Sequence, residues 1–331
     1  MTTLRLDGPT DILVIEGLTL PSVSPEDLAR IGEAAPDGST IRVASKMREA
    51  VEMAEPAEIV FGFLTEDLFA AAPRLRWVHA IASGVDAFLF PAFVESEVIL
   101  TGEKGLVGGH LADTGFGLLL ALTRQIATAL RLGPGAWDHR FDMRRVEVEL
   151  EGMTMGIVGF GGTGRAMARR AVAFGMDVLA VDEFPGEPDH GVAEVWSTDR
   201  LHDLLAASDV VAICCPLTPT TDRLFDAEAF ARMRPGAYLV NVTRGEIVDG
   251  VALVEALRSG HLGGAALDVA PGEPLPPDHP LFTFENVAMT PHTAGASQLR
   301  APRNIARFCD NLRRAQAGEP LIGVVDKNLG Y

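Results

Sequence analysis

The sequence has few cysteines, few basic residues and no long apolar run. Cysteine occurs three times in 331 residues, and two of these residues are the adjacent pair Cys214 and Cys215. An adjacent pair inside an apolar stretch is unsuited to a disulfide framework and lacks the spacing of metal ligands. The cysteine content therefore predicts a cytoplasmic protein without structural disulfides, and we expect no bound metal.

Basic residues are outnumbered, because 28 lysines and arginines stand against 45 aspartates and glutamates, for a net charge of −17. A nucleic-acid surface requires clustered cations to neutralise phosphates, and the sequence contains no such stripe. Residues 1–9 include the charged Arg5 and Asp7, and the apolar stretch 116–122 is too short to span a bilayer. We expect a protein that binds neither nucleic acid nor a membrane.

One glycine-rich segment lies between two apolar runs. The pattern G-x-G-x-x-G is formed by Gly159, Phe160, Gly161, Gly162, Thr163 and Gly164. Residues 155–158 before it are typical of a strand, residues 165–175 after it are typical of a helix, and a second strand-like run ends at Asp182. Strand, glycine loop, helix, strand and acid follow one another in the order that a dinucleotide-binding unit requires.

Each glycine of the pattern has a physical role in such a unit. Gly159 permits a tight turn, Gly161 leaves room for the pyrophosphate of the dinucleotide, and Gly164 lets the helix approach the strand. The helix N-terminus offers N–H groups to the phosphates, and Asp182 accepts hydrogen bonds from the adenosine ribose. Glu183 follows Asp182, and no lysine or arginine stands beside this pair. A 2′-phosphate there would meet two carboxylates, so the sequence predicts NAD rather than its 2′-phosphorylated form. The alternative is an ordinary strand–helix turn without a ligand.

The rest of the chain alternates short apolar runs with helix-like segments, which predicts an α/β fold with parallel sheets. Strand-like runs in the first hundred residues are 12–15, 41–44, 58–61 and 75–78. That region has no glycine-rich phosphate loop. A long helix is predicted over residues 111–132, before the dinucleotide unit, and a last helix over residues 298–317.

Several motifs together closely resemble the D-isomer-specific 2-hydroxyacid dehydrogenase family along almost the whole chain. In chain order they are Ser-Gly-Val-Asp at 83–86, the glycine segment at 156–164, Pro-Leu-Thr at 216–218, Asn-Val-Thr-Arg-Gly-Glu-Ile-Val-Asp at 241–249, Ala-Leu-Asp-Val at 266–269, Glu-Pro-Leu at 273–275 and Thr-Pro-His-Thr-Ala-Gly at 290–295. The resemblance implies two Rossmann-like or flavodoxin-like domains with parallel sheets and a cleft between them. Residues 1–102 and 293–331 would form the substrate domain, residues 103–292 the NAD-binding domain, and two copies of the chain a homodimer.

The resemblance implies three catalytic residues, Arg244, Glu273 and His292, and their chemistry suits reduction of a 2-keto acid to a D-2-hydroxy acid. The planar guanidinium of Arg244 can hold a carboxylate or a carbonyl with two hydrogen bonds. Histidine ordinarily has a pKa close to neutrality, so His292 can donate a proton to the carbonyl oxygen and regain it. Glu273 would keep the imidazole in one orientation. Taken singly, each of the three could equally be a surface or loop residue without a catalytic role.

The resemblance also implies contacts with the coenzyme and the substrate. The expected coenzyme contacts outside the glycine segment are Asp182, Pro216, Thr243, Arg244, Asp268 and His292. Contacts with the small 2-keto or 2-hydroxy acid are expected at Ser83, Gly84, Val85, Arg244 and His292. For Asp268, a helix-cap role is an alternative to a contact with the nicotinamide carboxamide.

Departures from the sequence patterns of the family reduce the range of substrates expected for this chain. Members that act on 3-phosphoglycerate often carry Arg-Ser after the third strand, where this chain has the uncharged residues 61–65, so a phosphorylated substrate is not expected. Formate dehydrogenases of the superfamily have Gln where this chain has Glu273, which argues against formate. The expected substrate is a small 2-keto acid such as glyoxylate, hydroxypyruvate or a longer aliphatic keto acid. The alternative function is that of an NAD-sensing binding protein, like the corepressors of the same family.

Overall fold

The computed structural model describes residues 2–17 and 19–331, and the chain divides into two compact units. The first unit consists of Met1–Val107 and Ala296–Tyr331, and the second consists of Gly108–Gly295. Each unit is built around its own sheet.

These units differ from the domain boundaries expected from the sequence by residues 103–107 and 293–295. Hydrogen bonds explain the difference at each end. The backbone N–H of Glu103 donates to the carbonyl of Ala82 at 3.3 Å, which ties this segment to the first unit. The backbone N–H of Thr293 donates to the Asp268 carboxylate at 2.9 Å, which ties that segment to the second.

The first unit contains a five-stranded parallel sheet in the order β2-β1-β3-β4-β5. Its strands are β1 Asp11–Ile15, β2 Thr40–Ala44, β3 Ile59–Gly62, β4 Trp77–Ala80 and β5 Ile99–Thr101. Its first four helices are α1 Pro25–Ala34, α2 Met47–Glu52, α3 Glu66–Ala71 and α4 Pro91–Val94. Alternate residues of β1 pack into two separate apolar cores, Leu13 and Ile15 into one and Ile12 and Val14 into the other. The sheet is therefore covered on both faces, as parallel sheets are.

The second unit contains a seven-stranded parallel sheet in the order β12-β11-β10-β9-β6-β7-β8. Its strands are β6 Thr154–Val158, β7 Asp177–Asp182, β8 Val195–Ser197, β9 Val210–Ile213, β10 Tyr238–Asn241, β11 Gly264–Leu267 and β12 Val287–Met289. Its helices are α5 Gly108–Thr123, α6 Ile126–Leu132, α7 Arg140–Val146, α8 Gly162–Ala173, α9 Leu201–Ala207, α10 Ala227–Arg232 and α11 Gly250–Arg258. The last helix of the chain, α12 Arg300–Ala317, belongs to the first unit. The α/β class and the parallel sheets predicted from the sequence are confirmed.

The single helix predicted over residues 111–132 is wrong, because the structure divides it into α5 and α6. Gln125 between them adopts a left-handed backbone with φ of 54°. The carbonyl of Thr123 accepts a hydrogen bond from the backbone N–H of Val148 at 2.8 Å, so it is directed towards another segment at the point where α5 ends.

The adjacent cysteines follow β9 and are buried. Burial raises the pKa of the Cys215 thiol to about 12 and also raises the pKa of the Cys214 thiol. Both thiols are therefore protonated at neutral pH and are poor nucleophiles. Within residues 2–17 and 19–331, no group of three His, Cys, Asp or Glu side chains is arranged to hold a metal ion. No helix in the same ranges has the length and apolarity to cross a membrane.

Candidate active site

The glycine segment forms the turn between β6 and α8 and lies close to its neighbours. Gly159 has φ of 94°, and a Cβ atom there would lie 2.5 Å from the backbone nitrogen of Cys215. A Cβ atom on Gly164 would lie 2.1 Å from the carbonyl oxygen of Gly159. By contrast, a Cβ atom on Gly161 would meet no described heavy atom within 4 Å. The turn is thus packed on two sides and open at Gly161.

Helix α8 begins at this open position. Its N-cap is Gly161, and no side chain of the described residues caps its first turn. The N–H groups of that turn and the helix dipole favour an anion, and the space at Gly161 lets a phosphate approach the backbone. These features fit the pyrophosphate of a dinucleotide coenzyme, which Gly161, Gly162 and Thr163 would hold through backbone N–H groups.

Gly108 also supports this turn, although no motif of the sequence includes it. A Cβ atom on Gly108, the first residue of α5, would lie 2.3 Å from the carbonyl oxygen of Gly162. Helix α5 can therefore start directly against the start of α8 only because residue 108 has no side chain. The adjacent pair Gly108 and Gly109, just before the helix predicted from residue 111, was the available signal, since two glycines side by side are typical of a close backbone approach.

Asp182 ends β7 beside the glycine segment. One carboxylate oxygen accepts a hydrogen bond from the backbone N–H of Phe160 at 2.6 Å, and the other accepts one from Phe184 at 2.9 Å. The carboxylate is thus fixed next to the turn, at the strand end where a dinucleotide unit holds the adenosine ribose. The structure thus places Asp182 beside the turn, and its contact with the ribose stays a prediction.

The fold also brings a cation to Phe160 and to the segment after Asp182, although none stands beside Asp182 in the sequence. The Arg165 guanidinium lies over the Phe160 ring, 4.7 Å from its centroid. It donates to the carbonyl of Glu187 at 3.0 Å and lies 3.7 Å from the Asp189 carboxylate. Arg165 thereby reaches from the first turn of α8 to the segment after Asp182, which sequence proximity did not reveal.

Arg244 lies on the loop that follows β10. The Asn241 side chain shapes this loop, because its amide donates to the carbonyl of Arg244 at 2.8 Å and its oxygen accepts from the backbone of Thr243 at 3.1 Å. The Arg244 guanidinium donates to the carbonyl of Thr243 at 2.9 Å and is half-buried. A Cβ atom on Gly245 would lie 2.0 Å from the carbonyl oxygen of Ala270, so the Arg244 loop lies directly against the segment that precedes Glu273.

Glu273 and His292 are in contact. The Nδ1 atom of His292 lies 2.8 Å from one carboxylate oxygen of Glu273, and the other oxygen accepts the backbone N–H of Ala270 at 2.7 Å. Because the carboxylate can only accept, the imidazole carries its hydrogen on Nδ1, and Nε2 is the nitrogen that can face a substrate. The structure therefore brings together the acid–base pair expected from the sequence.

Asp268 holds the loop that carries His292. Its carboxylate is buried and accepts hydrogen bonds from the Thr290 hydroxyl at 2.6 Å and from the backbone N–H groups of Thr293 and Ala294 at 2.9 and 3.0 Å. The carbonyl of Asp268 accepts the backbone N–H of His292 at 2.8 Å. These donors lie in a turn rather than a helix, so Asp268 organises the His292 loop and caps no helix through them.

The remaining predicted contacts are divided between the two units. Pro216 lies directly after Cys215, and the backbone of Cys215 packs against Gly159. The carbonyl of Pro216 accepts a hydrogen bond from the Thr221 hydroxyl at 2.7 Å. Ser83, Gly84 and Val85 belong to the first unit and follow β4, where the Val85 carbonyl accepts the backbone N–H of Phe88 at 2.8 Å.

The sequence matches a known protein family and named enzymes of other organisms. The family model described as "D-isomer specific 2-hydroxyacid dehydrogenase, NAD binding domain" matches residues 116–294. A glyoxylate reductase of Korarchaeum cryptofilum is 36% identical over 278 residues, which is 81% of this chain and 82% of the relative. The glyoxylate/hydroxypyruvate reductase B of Pectobacterium carotovorum is 38% identical over 263 residues, which is 78% of this chain and 81% of the relative.

A solved structure is similar over nearly the whole chain. It is a D-isomer specific 2-hydroxyacid dehydrogenase from Xanthobacter autotrophicus Py2 in complex with NADPH and MES. Its TM-score is 0.78 at 29% identity, and the match covers 98% of this chain and 100% of that chain. The resemblance drawn from the motifs and the nicotinamide coenzyme are thereby confirmed. The chain belongs to the D-isomer-specific 2-hydroxyacid dehydrogenase family and is an oxidoreductase with an NAD-binding domain.

Proposed function

We propose that this enzyme reduces a small, unphosphorylated 2-keto acid, glyoxylate or hydroxypyruvate, to the D-2-hydroxy acid. The observation that carries the proposal is the contact between Glu273 and His292. The segment just before Glu273 packs against the Arg244 loop, so all three residues belong to neighbouring loops. The names of the two curated relatives support the substrate class. Because those relatives are enzymes by name, the NAD-sensing corepressor alternative gains no support from them.

Each of the three side chains has a defined task in this reaction. The Arg244 guanidinium binds the substrate carboxylate and the carbonyl oxygen, on which negative charge develops. His292 donates a proton from Nε2 to that oxygen, while Glu273 stabilises the imidazolium through Nδ1. The bound coenzyme supplies the hydride that reduces the carbonyl carbon. The imidazole then regains its proton from solvent, so one keto acid, one hydride and one proton give one hydroxy acid.

The same proposal assigns tasks to the two parts of the chain. Residues 103–292 bind the coenzyme, with Pro216, Thr243 and Asp268 among its contacts. Residues 1–102 and 293–331 bind the substrate, with the backbone of Ser83, Gly84 and Val85 contacting its carboxylate. The resemblance of these motifs to the family is the support for both assignments.

Coenzyme oxidation over a panel of keto acids tests the function. The panel contains glyoxylate, hydroxypyruvate, pyruvate, 3-phosphohydroxypyruvate and a longer aliphatic keto acid, each with NADH and with NADPH. We expect the highest kcat/KM with glyoxylate or hydroxypyruvate, little turnover of the phosphorylated acid, and a D-configured product from hydroxypyruvate on a chiral column. Absence of turnover with every keto acid would contradict the proposal.

Coenzyme choice should depend on Asp182. We expect the wild type to prefer NADH, because the carboxylate binds the ribose hydroxyls and repels a 2′-phosphate. Asp182→Ala should lower the ratio of kcat/KM for NADH over NADPH by about tenfold or more, the scale of a lost charge-assisted hydrogen bond. Adding Arg165→Ala to that variant should reverse the gain with NADPH, since Arg165 is the cation that the fold brings to Phe160 and to the segment after Asp182.

The matched control for this comparison is Asp177→Ala, which removes an exposed carboxylate at the other end of β7 and should leave the ratio unchanged. A wild type that prefers NADPH would show that Asp182 does not govern the choice.

We also propose that the enzyme is a cytoplasmic homodimer. Large apolar side chains are concentrated and exposed on residues 126–146: Ile126, Leu130, Trp137, Phe141 and Val146. Exposed apolar clusters of this kind mark sites of protein association. A second copy of the chain is the expected partner, because the family resemblance implies dimers. The three cysteines are unpaired thiols, which supports a reducing compartment.

The double variant Leu130→Asp/Trp137→Asp should convert the dimer to a monomer, because both side chains are 78% exposed and charges there would be buried on association. Light scattering after size-exclusion chromatography measures the mass. Val251→Asp on α11 is the control, since this side chain is 82% exposed outside residues 126–146. A monomeric wild type, or a dimeric double variant, would contradict this assignment.

A further inference from the structure

The first unit contains a connected set of polar side chains in its interior. Its members are Trp77, His79, Thr101, Glu103, Arg300 and Asn304. All of them except Arg300 are at most 1% exposed. Buried polar groups destabilise a fold unless they are hydrogen-bonded, so a complete buried network is a constrained feature.

The hydrogen bonds of this network run in one direction. The Trp77 indole donates to the Thr101 hydroxyl at 2.8 Å, and that hydroxyl donates to Nδ1 of His79 at 2.7 Å. Nε2 of His79 donates to the side-chain oxygen of Asn304 at 2.8 Å, and the Asn304 amide donates to Glu103 at 2.9 Å. Only a neutral imidazole with its hydrogen on Nε2 satisfies both neighbours. Burial lowers the pKa of His79 to about 4, which keeps this form at neutral pH.

The network ends in a buried ion pair. The Nε atom of Arg300 lies 3.0 Å from both carboxylate oxygens of Glu103, and Nη2 lies 2.5 Å from one of them. The Glu103 side chain is fully buried, and the side chain of Arg300 is 16% exposed. A buried carboxylate destabilises the fold unless a cation is paired with it. The planar, forked guanidinium of Arg300 also fixes the geometry of this pair.

Both members of the ion pair also hold the backbone immediately before Ser83. Nη2 of Arg300 donates to the carbonyl of Ile81 at 3.4 Å. The backbone N–H of Glu103 donates to the carbonyl of Ala82 at 3.3 Å. We name residues 81–85 the substrate turn, because the proposed function places the substrate carboxylate against Ser83, Gly84 and Val85.

We propose that Glu103 and Arg300 are positioning residues that set the substrate turn for binding the carboxylate of the keto acid. This inference rests on the proposed function. The turn needs such support because backbone N–H groups bind an anion well only when they are held in a converging arrangement. Asn304 completes the support by donating to one carboxylate oxygen of Glu103 from the interior of the unit, and its own side-chain oxygen is held by His79.

The test compares Glu103→Gln and Arg300→Lys with the wild type in the reduction of glyoxylate at saturating coenzyme. Glutamine keeps the size of the side chain and one acceptor oxygen, and lysine keeps the positive charge. Circular dichroism of both variants checks the fold before the kinetics. We expect the KM for glyoxylate to rise about tenfold or more, the scale of a misplaced binding group. The KM for NADH should stay within about twofold, because neither Glu103 nor Arg300 is among the proposed coenzyme contacts.

Asp11→Asn is the matched control, because it removes another partly buried ion pair of the same unit, the one between Asp11 and Arg42 on β1 and β2. We expect this variant to lower the Tm without changing the KM for glyoxylate. If Glu103 only stabilised the fold, Glu103→Gln would behave like Asp11→Asn. A smaller folded fraction would lower the apparent kcat and leave the KM for glyoxylate unchanged.

The outcomes separate the two proposals. An increased KM for glyoxylate in both variants, with an unchanged KM in Asp11→Asn, supports the positioning role. A wild type that turns over glyoxylate normally, together with variants whose KM is unchanged, overturns the positioning role and leaves the proposed function intact. A wild type that reduces neither glyoxylate nor hydroxypyruvate overturns the proposed function, and the positioning role with it.

Discussion

Replacing His292 with asparagine should lower the kcat for keto-acid reduction by about 10²-fold or more, the scale of a lost general acid. The imidazole is the group that transfers the proton to the carbonyl oxygen, and its removal leaves that oxygen without a matched donor. Asparagine is the appropriate replacement because His292 has φ of 54°, and asparagine tolerates this left-handed backbone better than most residues. The variant should therefore fold and bind the coenzyme.

The measurement combines steady-state kinetics with titration of NADH binding by fluorescence. His202→Asn on α9 is the control, because it removes an exposed histidine that has no assigned role. We expect the control to retain wild-type kcat and both variants to bind NADH. Near-normal turnover by His292→Asn would remove His292 from the mechanism.

Glu273→Gln tests the orientation of the same imidazole. One oxygen of Glu273 accepts from Ala270, and the other accepts from Nδ1 of His292. Glutamine has a single oxygen, so in either orientation of its amide one of these donors faces an NH₂ group instead of an acceptor. We expect a lower kcat and a changed pH profile, because the variant also loses the carboxylate that stabilises the imidazolium.

Local features of the site could be predicted from the sequence. The role of each glycine in residues 159–164 depends on its immediate neighbours, and β6, α8 and Asp182 lie in the order expected of a dinucleotide unit. The triad could be named only through the resemblance, because Arg244, Glu273 and His292 lie on three separate loops. The contact between Glu273 and His292 agrees with that expectation, whereas the catalytic roles stay predictions.

Features that depend on tertiary geometry could not be predicted. Arg165 reaches the segment after Asp182 because that segment returns beside α8. Asp268 organises the His292 loop through donors from three residues of a turn, and this arrangement has no local sequence pattern. The end of α5 at Thr123 coincides with a hydrogen bond from Val148, in a stretch whose own residues favour a continuous helix.

Arg244→Lys should lower kcat/KM for keto-acid reduction by at least about two orders of magnitude, the scale of lost charged hydrogen bonds. The loop places a planar guanidinium whose paired N–H groups can bind two oxygens at once, and an ammonium cannot reproduce this fork. Both KM and kcat should change, since the carboxylate is bound before the reaction and the charge on the carbonyl oxygen grows only during it.

The loop around Arg244 should survive this substitution, because its shape depends on Asn241 and on Gly245 packing against Ala270, and neither contact involves the guanidinium. Arg258→Lys on α11 is the matched control, since that arginine pairs with Glu255 on the surface and should be replaceable without loss of activity. Circular dichroism and NADH titration check the fold and the coenzyme site. Should lysine at position 244 support near-normal kcat/KM while both checks match the wild type, a single positive charge would be sufficient there, and the two-point binding of the substrate by Arg244 would be wrong.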